Sequence, residues 1–159
     1  MQEQQLMNQM IALSEKKLEM LNNLKQLSEK QNHAFQNKEL DEIEKILNQK
    51  DEIIEYVQKL DNAFLSVSDS LKEQLGIQDL EALSGTRLEG RLELKELVAK
   101  ITDTVEAVIQ LEEDSFNRAA EMKDEFGDKI KGVNTGKKIT SAYTIKPTSA
   151  PSYFFDKKK

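Results

Sequence analysis

Few residues in this chain have the types and spacing that enzymatic chemistry needs. His33 is the only histidine and there is no cysteine, so a Cys–His pair and a thiolate metal site are both excluded. Adjacent carboxylates occur at Glu112, Glu113 and Asp114, but such runs are common on solvated helix faces. Residues 132–136 (GVNTG) precede two lysines without the remaining spacing of a phosphate-binding loop. The sequence therefore predicts no enzymatic activity, no cofactor and no metal site.

Polar residues that interrupt otherwise apolar rows are more informative. These residues are Lys17, Gln31, Lys50, Asp61 and Glu112. If the second and third helices pack antiparallel, Lys50 and Glu112 fall within about one turn of each other. The sequence then predicts an ion pair that fixes the register of the helices more than it stabilises them, because desolvation offsets most of the attraction. The alternative is that both side chains reach solvent from the edge of the apolar rows.

The apolar rows themselves predict three long helices. Apolar residues alternate at spacings of three and four over residues 3–34, 38–74 and 87–126, which is typical of helices packed in a bundle. No glycine occurs before Gly76 and no proline before Pro147. Nothing in the first 75 residues therefore forces the backbone out of a helix.

The predicted helix ends follow from local residue preferences. Asn37 is a good N-cap for the second helix, because its side-chain oxygen can accept a hydrogen bond from a free amide of the next turn. Gly76 is the expected end of that helix, since glycine tolerates the left-handed conformation. Residues 77–83 could add a short fourth helical turn before a loop at Ser84 and Gly85. The third helix is expected to begin at about Arg87.

These elements predict an all-α fold, an elongated antiparallel bundle of three long helices. The bundle domain should span residues 1–130, and residues 131–159 should form an irregular, basic, aromatic-containing tail. Residues 127–159 carry eight Lys and two Asp, a net charge of +6, so the other 126 residues carry −12 of the overall −6. An acidic body opposes nucleic-acid binding. No secretory signal or membrane span is recognisable, so a cytoplasmic location is expected.

Two stretches of the sequence resemble the FlgN-type flagellar export chaperones. They are the turn and second helix at residues 34–61 (AFQNKELDEIEKILNQKDEIIEYVQKLD) and the ending at residues 142–159 (AYTIKPTSAPSYFFDKKK). The resemblance implies a chaperone that binds the C-terminal helical segments of the hook–filament junction proteins. It would prevent their premature association and deliver them to the export apparatus, acting as a monomer or small homo-oligomer.

A site for such a partner is expected where the bundle cannot bury all of its apolar surface. Three helices with wide apolar stripes leave a furrow for an amphipathic helix, and we place it along the C-terminal half of the third helix. The alternative is that these residues simply pack on the first two helices. The candidate partner-binding residues are Val105, Val108, Phe116, Ala119, Met122, Phe126 and Ile130, together with the tail aromatics Tyr143, Tyr153, Phe154 and Phe155.

Two other functions are compatible with the same sequence features. A structural coiled-coil protein could self-associate through the apolar stripes, and it would grow in size with concentration. A tail-driven binder of anionic membranes or nucleic acid could use Lys157, Lys158 and Lys159, and its binding would weaken with salt.

Overall fold

Three long helices dominate the computed structural model, which describes residues 2–126 and their side chains as far as Met122. The helices are α1 (Gln2–Gln36), α2 (Leu40–Leu75) and α3 (Arg91–Phe126). A 3-10 helix (Leu80–Gly85) lies in the connection between α2 and α3. The predicted all-α fold of three long helices is confirmed, and the short fourth helical turn is present, shifted a few residues toward the C-terminus.

The helices α1 and α3 run parallel, and α2 runs antiparallel to both. Gln4 of α1 contacts Glu89, just before α3, and Asn32 near the other end of α1 contacts Ser115 of α3. The backbone of α1 lies close to α2 and to α3 along its length, whereas α2 and α3 approach each other closely at few points. The helix α1 is therefore the centre of the bundle, and the backbones of α2 and α3 lie farther from each other than either lies from α1.

The interior consists of three apolar clusters along the bundle axis. The first, at the end that holds the 3-10 helix, contains Met7, Met10, Ile11, Phe64, Leu71, Leu80, Leu83, Leu94 and Val98. The middle cluster contains Leu21, Leu24, Ile54, Val57, Ile101 and Val108. The third, beside the turn between α1 and α2, contains Ala34, Phe35, Ile43, Ile46, Leu47, Ala119 and Met122. Burial of these side chains is the main source of the bundle's stability.

The turn between α1 and α2 is built differently from the prediction. The amide of Glu39 donates to the carbonyl of Ala34 at 2.9 Å and that of Lys38 donates to Phe35 at 3.2 Å, the paired bonds of a Schellman helix end. Lys38 adopts the left-handed conformation, with φ of 55°. The residue that precedes α2 is Glu39, whose side chain makes no capping hydrogen bond. Asn37 is thus not the N-cap, because it belongs to the end of α1, where its side chain contacts His33.

The end of α2 matches the prediction. Gly76 has φ of 67°, its amide donates to the carbonyl of Glu73, and the amide of Ile77 donates to that of Lys72. This is the same Schellman arrangement as at Lys38, with glycine in the left-handed position. The two helix ends therefore differ mainly in the residue that adopts positive φ.

The start of α3 lies at Arg91, four residues later than the predicted Arg87. Gly90 has φ of 92°, a conformation that breaks the helix there. A Cβ atom at this position would lie 2.5 Å from Cδ1 of Ile11, so the absence of a side chain also lets α3 approach α1. The predicted helix start was wrong because the apolar row continues through Leu88 while the backbone does not.

Candidate partner-binding site

A buried polar layer separates the middle and third apolar clusters. The ammonium group of Lys50 donates to Oε1 of Gln31 at 2.6 Å and to Oε1 of Glu112, and the hydroxyl of Ser28 donates to the same Glu112 oxygen at 2.7 Å. All four side chains are fully buried. The ion pair predicted between Lys50 and Glu112 is therefore confirmed, and both residues lie in the interior rather than at a solvated edge.

The environment of this layer determines what the ion pair contributes. Burial lowers the pKa of Lys50 below its ordinary value of 10.5, while the carboxylate of Glu112 opposes that shift. Oε2 of Glu112 and Nε2 of Gln31 are buried and make no hydrogen bond. An ion pair with such incomplete satisfaction adds little net stability, but a one-turn slip of any helix would leave a charge buried alone. The layer therefore fixes the register of all three helices.

A second polar pair lies between the first and middle clusters. Nζ of Lys17 lies 2.6 Å from Oδ1 of Asp61, and the Lys17 side chain is only 5% exposed. Burial raises the pKa of Asp61, and the neighbouring Lys17 opposes that shift. Together with the Lys50 layer, this pair accounts for all five polar residues that interrupt the apolar rows. The bundle is thus three apolar segments joined by two polar ones.

The apolar rows close against one another more completely than the sequence analysis predicted. Val108, Ala119 and Met122, three of the candidate partner-binding residues, are buried in the middle and third clusters. Val105 and Phe116 are only half-buried. The large hydrophobic side chains that stay exposed within residues 2–122 are Tyr56, Leu65 and Leu92, at 40, 41 and 69%. The row of α3 at Val108, Ala119 and Met122 is therefore closed to a partner helix.

A shallower apolar surface remains on the flank of α3 that faces away from α1. At about 100° per residue, Ser115 and Leu111 lie to one side of Glu112, and both contact Asn32 of α1. Ile109 and Phe116 lie about 40 to 60° to the other side of Glu112, toward α2. Both are half-buried and neither belongs to the three apolar clusters. They therefore border the side where α2 and α3 are least close.

The matching flank of α2 carries Leu65. The opposite flank of α2 holds Tyr56, whose ring lies 5.9 Å from the Lys16 ammonium of α1, so that flank faces α1 and is partly covered by Lys16. Leu65 lies on the other side of Lys50 from Tyr56 and is 41% exposed. We define the α2–α3 face as Leu65, Val105, Ile109 and Phe116. Leu65 and Phe116 lie roughly 30 Å apart along the bundle axis at 1.5 Å per residue.

The sequence analysis identified only part of this face. Val105 and Phe116 were predicted, whereas Leu65 and Ile109 were missed, although both lie at a flank of the apolar row of their helix. In the sequence, Leu65 and Ile109 can be recognised as apolar residues beside the central apolar row, on the flank that faces away from α1. The side chain of Phe126 lies outside the described part of the chain, as do Ile130, Tyr143, Tyr153, Phe154 and Phe155.

The described residues contain few groups arranged for other chemistry. No group of three or more His, Asp or Glu side chains among residues 2–122 is placed to hold a metal ion. No helix of the described chain is long and apolar enough to cross a membrane. His33 is exposed and contacts Asn37 at the turn between α1 and α2. What these residues offer a partner is an apolar surface on a rigid scaffold.

Comparison with known protein families gives a match over most of the chain. A family model described as FlgN protein matches residues 1–133, which include all three helices. No curated protein and no solved structure gives a significant match.

Proposed function

Because the chain belongs to the FlgN family of flagellar export chaperones, we propose that it binds the C-terminal helical segments of the hook–filament junction proteins. It would hold these segments in the cytoplasm, prevent their premature association and deliver them to the export apparatus. Such segments would be amphipathic and would pack only after assembly, so they would need a cover before export.

The observation that carries this proposal is the apolar surface at Ile109 and Phe116. The two side chains lie seven residues apart on one flank of α3, half-buried and outside the apolar clusters. An amphipathic helix presents anchors at the same spacing, so it could lie along the α2–α3 face and add a fourth helix to the bundle. Leu65 extends the apolar contact toward the other end of α2.

The buried residues of the predicted site have a different part in this proposal. Val108, Ala119 and Met122 hold α3 against α1 and α2 in the clusters that present the face. The polar layer at Lys50 and Glu112 keeps the helices in register, so that Leu65, Ile109 and Phe116 stay aligned. A rigid face lowers the entropy lost when the partner helix binds.

The tail supplies a second contact in this proposal. Residues 127–159 carry +6 against the −12 of the remaining chain, and their apolar groups include Tyr143, Tyr153, Phe154 and Phe155. Attraction between the two parts of the chain would bring these aromatics near the bundle, and salt would weaken it. Deleting residues 137–159 should therefore change the affinity for the junction-protein segment at low ionic strength. An unchanged affinity would remove the tail from the proposal.

Calorimetric titration with the C-terminal segment of a junction protein tests the α2–α3 face. Replacing Ile109 and Phe116 together by Ser should weaken binding at least about 30-fold, since each loses an apolar anchor worth about 1–2 kcal/mol. The control is Tyr56→Ser, which removes a large aromatic side chain, 40% exposed, from the flank that faces α1. It should leave the affinity unchanged, and circular dichroism should show unchanged helix content in both variants.

Sedimentation of the same proteins distinguishes the chaperone from a self-associating coiled-coil protein. Sedimentation of the chaperone should show a small species of fixed size that gains mass only when the junction-protein segment is added. Growth with protein concentration, lost on replacement of Ile109 and Phe116, would instead assign the face to self-association. Equal weakening by Tyr56→Ser would show that the segment binds elsewhere.

A further inference from the structure

The connection between α2 and α3 is longer and more ordered than a turn between antiparallel helices requires. It comprises residues 76–90, whereas such turns commonly need about 2–8 residues. Leu80 and Leu83 of its 3-10 helix are buried in the first apolar cluster. The rest of the segment lies on the surface at the end of the bundle. An extended loop held on a rigid scaffold is a common location for binding residues.

Hydrogen bonds hold this connection in one conformation. The Arg91 guanidinium donates to the carbonyls of Leu88 at 2.8 Å, Ser84 at 3.1 Å and Thr86. The side-chain amide of Gln4 pairs with the backbone of Glu89, accepting from its N–H and donating to its carbonyl, each at 3.0 Å. The segment is thus tied both to α3 and to the first turn of α1, and its surface is preorganised.

Leu92 stands exposed at the edge of this ordered segment. Its side chain is 69% exposed, the most of any large hydrophobic residue in the described part of the chain. Beside it lies a groove of about 520 Å³ lined by Leu80, Leu83 and Leu88. A single exposed leucine is ordinary, but one at the border of a leucine-lined groove offers an anchoring point for an apolar side chain of a partner.

The side chains that line the groove carry a net positive charge, although Glu93 and Glu96 lie on the adjoining part of α3. Arg87, Arg91 and Lys95 line it, with Glu89 as the only acidic lining residue, and none of the three cations forms an ion pair with a described residue. Residues 1–126 as a whole carry −12. A local cationic rim on an acidic protein selects for an acidic partner segment, since like charge elsewhere repels it from other surfaces.

We propose that this end of the bundle, comprising Leu88, Leu92, Arg87 and Lys95, is a second docking surface for an acidic peptide segment that carries an apolar anchor. The anchor would enter the leucine-lined groove, and flanking carboxylates would contact Arg87 and Lys95. The chain's own tail is a poor occupant because it carries +6 and follows α3, which ends at the opposite end of the bundle. This proposal does not rest on the one for the α2–α3 face.

Selection from a random peptide display library against the full-length protein tests the proposal. Peptides that are retained by the wild-type protein but not by Leu92→Ser should contain an apolar residue flanked by Asp or Glu. A synthetic copy of the enriched peptide should bind at least 10-fold more weakly to Leu92→Ser in fluorescence anisotropy. Tyr56→Ser, a control that lies outside both surfaces, should bind it like wild type.

Reversal of charge gives a readout that a folding defect cannot imitate. Arg87→Glu combined with Lys95→Glu should abolish binding of the acidic peptide, and a peptide with Lys at the acidic positions should then bind the variant and not the wild type. The junction-protein segment should bind both proteins alike, which separates this surface from the α2–α3 face. No enrichment, enriched peptides without acidic residues, or binding that survives Leu92→Ser would each overturn the proposal.

Discussion

Removing either member of the Lys50–Glu112 pair leaves a charge in the interior of the bundle. Lys50→Met leaves the Glu112 carboxylate with only the Ser28 hydroxyl as donor, and Glu112→Leu leaves the Lys50 ammonium with only Gln31 as acceptor. Because both side chains are fully buried, each single change should lower the free energy of unfolding by about 3–5 kcal/mol. That is a large share of the roughly 5–15 kcal/mol that holds a typical domain folded.

The double variant should behave differently from the sum of its parts. Lys50→Met with Glu112→Leu removes both charges and fills the layer with apolar groups, which is often stabilising by about 1–4 kcal/mol. Ser28 and Gln31 each lose a partner, at a cost of about 1–3 kcal/mol. With the middle of each range, the free energy of unfolding of the double variant should lie about 1–2 kcal/mol below wild type. The coupling between the two positions should then be at least about 4 kcal/mol.

Urea unfolding followed by circular dichroism measures all four corners of this cycle. The exposed pair Lys16–Glu19, with Nζ and Oε2 3.4 Å apart, provides the control, and Glu19→Gln should change stability by less than about 0.5 kcal/mol. If the Lys50→Met and Glu112→Leu effects are also below about 1 kcal/mol and additive, the layer is solvated and the argument for register is refuted.

The pH dependence of the Glu112→Leu variant provides an independent check. Burial holds the pKa of Lys50 below 10.5, so between the folded-state value and 10.5 the unfolded chain binds more protons than the folded one. Stability contributed by this group therefore increases as the pH rises through that window. Loss of Glu112 removes the group that opposes the shift, so the deficit of the variant should shrink in alkaline solution. A deficit that grows with pH would contradict the assignment.

Two further predictions concern the helix ends and the second polar pair. Lys38→Gly should raise the free energy of unfolding by about 0.5–1 kcal/mol, because glycine adopts the left-handed conformation without the strain of a lysine there. Gly76→Ala should lower the free energy of unfolding by about 1 kcal/mol for the same reason. Urea unfolding that shows the same sign for both variants would contradict the shared Schellman geometry. Burial raises the pKa of Asp61 above 3.8, so its stabilising contribution is present below 3.8 and is lost as the pH rises through the folded-state value. Asp61→Asn should therefore gain stability relative to wild type as the pH rises from 3.8 to the folded-state pKa of Asp61. Urea titrations that show a relative loss over this pH range would mean that the attraction of Lys17 affects this pKa more than burial does.

The sequence was sufficient to predict the helices and the buried ion pair. The alternation of three and four is a property of the chain itself, and it determines which residues share a face. Lys50 and Glu112 interrupt that alternation in α2 and α3, and antiparallel packing of these two helices places them within about one turn of each other. These features depend on local periodicity and require no knowledge of how closely the helices approach.

The helix ends and the α2–α3 face could not be predicted from the apolar pattern, because they depend on competing local conformations and on how the helices pack. At the first turn, Asn37 has the better preference for an N-cap, but the Schellman bonds of α1 place Lys38 in the left-handed position and leave Glu39 before α2. Along α3, the buried Ala119 and the half-buried Phe116 follow the same period. Only the closer packing of α1 on its two neighbours decides which flank stays uncovered.

Site-specific photo-crosslinking tests most directly whether the α2–α3 face receives a partner helix. A photoreactive phenylalanine analogue replaces Phe116 in one variant and Tyr56 in another, and each protein is irradiated with the C-terminal segment of a hook–filament junction protein. A covalent adduct should form from position 116 and none from position 56, because Phe116 lies on the flank of α3 that faces away from α1 and Tyr56 lies on the flank of α2 that faces α1. Adducts from both positions in equal yield, or from position 56 alone, would contradict it.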